Sequence, residues 1–206
     1  MFYSNKNRFA TWPMIAVGIA MFVVANSGQT LSPDEKKIVD FIDRNNASAI
    51  ALLETTVNIE SPTEDIAGVK KVGSVYQKEF ESLGMKTTWI DLPPEFKRAG
   101  HLMAESTGNC GKRLLLLGHL DTVLRGEPYR LDGTRAFGTG IGDMKGGNLI
   151  IIQALKALQA VGALKDTRII VMFTGDEEDT ADPIEASRRD MVAAAKRSDA
   201  ALSFEG

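Results

Sequence analysis

Residues 113–123 read RLLLLGHLDTV, Arg113 through Val123, and this stretch decides the class of fold. Four consecutive leucines leave no polar face, so the segment reads as a strand buried on both sides. Polar chemistry is held back to its end, where His119 and Asp121 follow Gly118. The same plan recurs twice. RIIVMF (Arg168–Phe173) runs into Thr174-Gly175-Asp176-Glu177-Glu178-Asp179, and AALSF (Ala200–Phe204) runs into Glu205-Gly206. Between the first two lies GTGIGDMKGG (Gly138–Gly147), directly before a long helical pattern from Gly147 to Val161 that Gly162 ends.

Outward from this centre, the chain alternates strands with helices. Ser32-Pro33-Asp34-Glu35 opens a helix with an N-cap, a first-turn proline and a capping-box glutamate. Apolar positions carry that helix to Val57, with a break expected at Asn45-Asn46. A second helix is expected from Asp65 to Leu83, stopped by Gly84. Lys86–Asp91 and His101–Glu105 read as short strands around a Pro93-Pro94 loop, and Ile184–Arg197 as a helix. Such alternation predicts an α/β layered domain with a largely parallel central sheet. In such sheets ligands bind beyond the carboxyl ends of the strands. All four polar segments would meet there.

The chain has 206 residues, 24 Lys+Arg against 27 Asp+Glu, and a net charge of −3. Its 44% hydrophobic content is ordinary for a globular protein and excludes a disordered chain. The mild acidity gives no basic footprint for nucleic acid. A single cysteine, Cys110, excludes an intramolecular disulfide framework or a cysteine-rich zinc module. At the N-terminus, Lys6 and Arg8 precede the apolar run Met14–Ala25, and Ala25-Asn26-Ser27 supplies a small-x-small end. Residues 1–27 are expected to be a secretory signal, giving an exported, periplasmic or secreted product without stable membrane association after cleavage. An uncleaved anchor is the alternative, although the run is shorter than the roughly 18–20 residues that span a bilayer.

His119 offers an imidazole, and Asp143, Glu178 and Glu205 offer carboxylates. Nitrogen and oxygen donors of this kind suit zinc, with cobalt or manganese as alternatives. Gathering so much negative charge in one crevice is costly without a cation. His119 and Asp121, two apart on an extended segment, point to one side, so Asp121 is expected to support the second ring nitrogen. Glu177 and Glu178 are adjacent and diverge, so one can bind metal while the other faces water. Rival motifs fail on spacing: Asp143 stands where a dinucleotide-binding loop needs its third glycine, and neither a phosphate-binding G-x-x-x-x-G-K-[ST] nor a G-x-S-x-G elbow occurs. His101 is expected to be a strand or loop residue and not a ligand.

GHLDTV, GTGIGDMKGG, TGDEED and SFEG, in this order and spacing, resemble the co-catalytic zinc metallopeptidase family. That family includes carboxypeptidase G, glutamate carboxypeptidase-like enzymes, aminoacylases, acetylornithine deacetylase and succinyl-diaminopimelate desuccinylase. The resemblance implies a three-layer catalytic domain and two zinc ions. His119 and Glu205 would bind one metal and Glu178 the other, with Asp143 bridging, Glu177 as general base and Asp121 supporting His119. It also implies a cis peptide after Asp143, and hydrolysis of an amide bond in a small peptide or N-acyl amino acid. The family pattern adds one later histidine and an inserted domain that commonly dimerises. Residues 28–206 are therefore expected to be the front part of a catalytic domain, truncated before that insertion and inactive alone, with a homodimer reserved for the full-length chain. The rival expectation is a non-catalytic single-metal or peptide-binding module that ends at Gly206.

Overall fold

The computed structural model describes residues 30–205 apart from Leu124; the expected signal segment lies outside the described residues. Helix α1 (Pro33–Val57) starts as a capping box, with the Ser32 amide donating to Glu35 and the Glu35 amide to the Ser32 hydroxyl. It runs unbroken through Asn45-Asn46. The Asn45 side chain donates to the Phe41 carbonyl one turn back at 2.8 Å, so it bonds within the helix rather than ending it. Helix α2 (Ile66–Ser82) is capped by Asp65, whose side chain accepts from the Gly68 amide. Gly84 follows with φ 76°, the left-handed stop that glycine adopts without a Cβ clash.

Strands β1 (Lys86–Ile90), β2 (His101–Glu105), β3 (Cys110–His119), β6 (Thr167–Thr174) and β7 (Ala200–Ser203) form one sheet in the order β1-β2-β6-β3-β7. The pairs β3–β6 and β3–β7 are parallel, whereas β1–β2 and β2–β6 are antiparallel. The sheet is thus mixed, parallel in the half that carries the polar segments. For β1 and β2 the reason lies in chain length: residues 91–100 are too few for a parallel crossover, which needs about a dozen residues or more. Strands β4 (Arg130–Asp132) and β5 (Arg135–Phe137) form a separate hairpin beyond the strands expected from the sequence. Helix α3 (Gly146–Ala160) follows the glycine-rich segment. The expected helix 184–197 is two helices, α4 (Ile184–Ser187) and α5 (Arg189–Lys196), parted at Arg188.

Three layers result. Leu116, Ile169, Val171 and Phe173 pack with Val72, Tyr76 and Phe80 of α2 and Ile151, Ile152 and Leu155 of α3. Their strand neighbours Leu115, Ile170 and Met172 pack with Met191 and Ala194 of α5 on the other face. This is the period-two alternation of a strand with both faces covered. Ala49, Leu53 and Val57 of α1 pack onto Leu149 of α3. Strand β7 is an edge whose four residues are all exposed. Among the described residues, no helix is long and apolar enough to cross a membrane.

Candidate metal centre

β3, β6 and β7 run parallel, so their carboxyl ends deliver His119, the segment after Thr174, and Glu205 to one edge of the sheet. His119 is buried at the end of β3. Its Nε2 lies 2.9 Å from Asp143 Oδ1 and 3.6 Å from Glu205 Oε1. Its Nδ1 lies 2.9 Å from the backbone carbonyl of Asp121 and 3.5 Å from the Asp121 carboxylate. Asn148 of α3 donates to the His119 carbonyl at 2.6 Å, fixing the backbone behind the ring.

Asp143 is presented by a tight turn, Ile141–Lys145, in which it and Met144 leave helical geometry; the Asp143–Met144 peptide is cis. Glu205 is brought in by the close approach of α3 to the end of β7. A Cβ on Gly147 would sit 2.3 Å from the Phe204 carbonyl oxygen. Gly→Ala in an open helix stabilises by roughly 0.5–1 kcal/mol. Here the sign should reverse, with Gly147→Ala costing about 1–3 kcal/mol because backbone must move. Urea unfolding measures it, and a stabilised variant would show that the helix and the strand end can part without cost.

Two groups of potential ligand atoms share the one imidazole: His119 with Asp143 and Glu205, and His119 with Glu177 and Glu178, each within 4.8 Å throughout. Asp121 is buried and supports the second group from below. Its carboxylate accepts from the backbone amides of Glu177 and Glu178, both at 3.1 Å, and from the Thr63 hydroxyl at 2.7 Å. Asp121 therefore touches more than the histidine expected from its spacing; it also holds the acidic loop.

The electrostatics are those of a cation site. Burial opposes a charged His119 ring, but the Asp121 and Asp143 carboxylates outweigh it and hold its pKa up at about 9. Burial and then the neighbouring carboxylates push Glu177 and Glu178 upward. Asp121 goes the other way: burial would raise it, but His119, Thr63 and the Glu177 amide hold it below the usual range. A proton on His119 is thus balancing carboxylates that a divalent ion could balance in its place. The donor set, one imidazole nitrogen and several carboxylate oxygens on converging elements, fits zinc.

Of the residues singled out from sequence, the structure brings His119, Asp121, Asp143, Glu177, Glu178 and Glu205 together. His101 lies buried in β2 and hydrogen-bonds within the fold, to the Gly175 amide and the Ser187 carbonyl. Sequence reasoning missed Thr63, Asn148 and Lys145. The last is buried and donates to the Ile59 carbonyl at 2.8 Å, tying the Asp143 turn to the end of α1; burial pushes its pKa down to about 8. A cleft of about 540 Å³ opens beside the site, lined by Thr122, Arg125, Thr139, Gly140, Asp143 and Glu178 among others.

Carboxylates gathered around one imidazole at the carboxyl edge of an α/β sheet form a candidate metal centre. Residues 115–205 match Peptidase family M20/M25/M40, and the chain belongs to that family. It is 37% identical over 169 residues to carboxypeptidase G2 from Pseudomonas sp. (strain RS-16), a match covering 77% of this chain and 38% of that protein. The chain therefore spans well under half the length of that relative. Among solved structures, human carnosine dipeptidase 1 superposes with a TM-score of 0.70 at 20% identity, covering 82% of this chain and 40% of that one. An M20 family metallo-carboxypeptidase, Sso-CP2 from Sulfolobus solfataricus, gives 0.62 at 18% identity, covering 77% and 37%. These two likenesses establish the shared fold.

Proposed function

We propose that this chain carries the metal-binding part of a zinc-dependent hydrolase that cleaves an amide bond in a small peptide or N-acyl amino acid. The observation that carries the reading is the single buried imidazole shared by two carboxylate groups. His119 and Glu205 would hold one ion and Glu178 the other, with Asp143 between them. Bound there, zinc would supply Lewis acidity, lowering the pKa of water toward neutrality and stabilising negative charge on the reacting carbonyl oxygen.

The chain's own residues do the rest. Asp121 orients the His119 ring and fixes the backbone of Glu177 and Glu178. In this assignment Glu177, which lines a small cavity with His119 and Glu205, is left out of the ligand set, so its carboxylate is available for proton transfer. It takes the proton of the attacking water and delivers it to the leaving amine. A carboxyl pushed upward by burial and like charge is suited to both halves of that task. The substrate lies in the cleft beside Asp143 and Glu178.

Metal content and hydrolysis of a panel of dipeptides and N-acyl amino acids, measured on the longest natural form of the protein, test this reading. Two bound ions and chelator-sensitive hydrolysis are expected. One ion or none, with no hydrolysis, would overturn it in favour of a binding module. Export belongs to the same proposal and rests on Lys6, Arg8 and the apolar run Met14–Ala25. N-terminal sequencing of the mature protein should then begin near Gly28, and a start at Met1 would favour an anchor.

A further inference from the structure

Asp176 precedes the two glutamates of the acidic loop, yet it does not face the metal site. It is fully buried, and every contact of its carboxylate leads away from that site. One oxygen accepts from Arg188 Nη1; the other accepts from the Ser187 hydroxyl at 2.6 Å and the Ala181 amide at 3.1 Å. Arg188 Nη2 donates to the backbone carbonyl of Asp176 at 3.0 Å and to the Thr180 hydroxyl at 2.8 Å. Thr180 in turn donates to the Glu177 carbonyl at 3.3 Å. The guanidinium thus grips one residue by both side chain and backbone, with the two-pronged geometry that lysine lacks.

The gap between α4 and α5 falls at Arg188, the residue that turns inward to make this grip. Immediately upstream, the Gly175 amide donates to His101 Nδ1 at 3.3 Å, which leaves the ring's proton on Nε2, facing the Ser187 carbonyl at 2.9 Å. Immediately downstream, Asp121 takes the amides of Glu177 and Glu178. Residues 175–178 are therefore tied at four consecutive positions.

We infer that Arg188, acting through Asp176, is a positioning residue for Glu177. The inference rests on the reading of Glu177 as the proton carrier. Arg188 shares the cavity of Glu177 and Glu205, but its Nη1 and Nη2 groups are spent on Asp176, Ser187 and Thr180, so it sets the loop rather than gripping substrate. A displacement of about 1 Å at a catalytic group can cost ~10²-fold in rate.

Two variants test it in the metal-loaded, longest natural form of the protein. Arg188→Lys keeps the charge and loses the fork. The double variant Asp176→Asn with Arg188→Gln removes both charges, so no buried carboxylate is stranded. In each, kcat should fall by about 10²-fold, with KM unchanged in protein brought to full metal occupancy, and amide exchange at Glu177 and Glu178 should quicken while that in α2 and α3 stays the same. Unchanged kcat in a hydrolytically active protein, or unchanged exchange at those two amides, would overturn the inference. If the parent protein hydrolyses no amide, the functional reading fails, and the exchange result alone decides whether Arg188 sets the loop.

Discussion

Glu177→Gln should retain both metal ions and lose turnover by about 10²–10⁴-fold, the range by which a positioned acid or base accelerates a reaction. The amide is close in size to the carboxylate, and the backbone of Glu177 is held by Asp121 and Thr180 through groups that the change leaves intact. Only the ability to accept and return a proton is removed. The loss should therefore appear in kcat with KM little changed, as for an interaction needed in the transition state alone. Metal analysis beside the kinetics separates the two roles open to adjacent carboxylates. Near-normal turnover would remove Glu177 from proton transfer. Lost metal would make it a ligand, consistent with its place in the second cluster around His119.

Much of this centre was legible because parallel strands put their carboxyl ends at one edge. Leu114–Leu117 and Ile169–Phe173 are so uniformly apolar that their strands could be read directly, although Leu114 and Leu117 are only half-buried and the expected burial of AALSF fails because β7 is an exposed edge. The shared placement of the polar residues at the strand ends could be read with them. The features that could not be read depended on partners distant in sequence. Thr63 meets Asp121 across 58 positions, and no local pattern announces it. Asp176 looked like one more member of an acidic run; its different fate is decided by Arg188, which sits where apolar spacing suggests a continuous helix. Strand direction was legible only in part, since the short connection 91–100 already forbade a parallel crossover between β1 and β2. The hairpin β4–β5 turns through Gly133-Thr134, with Gly133 at φ 59°. Its three-residue strands are too short for any period, and it is closed by Arg130 lying over the Phe137 ring at 4.0 Å.

Asp121→Asn should weaken metal affinity by about 10–100-fold and cost about 1–3 kcal/mol of stability. The argument is one of valence. The carboxylate accepts at both oxygens: Oδ1 takes the Glu177 amide, and Oδ2 takes the Glu178 amide and the Thr63 hydroxyl. Asparagine offers a single oxygen. Placed at the Oδ1 position, that oxygen leaves an NH₂ group against the Glu178 amide. Placed at Oδ2, it leaves the NH₂ against the Glu177 amide and toward His119 Nδ1, which is 3.5 Å from the present Oδ1. In either orientation one buried N–H faces another donor and loses its partner, and the negative charge that favours binding through His119 is gone. Glu177 and Glu178 are hung from this one side chain, so the damage should reach both the proposed metal site and the proposed proton carrier. Metal titration followed by urea unfolding of the loaded and stripped protein measures the two losses separately. A variant that binds metal as tightly as the parent, with an unchanged unfolding midpoint, would show that the His119 ring and the acidic loop are held without the Asp121 charge.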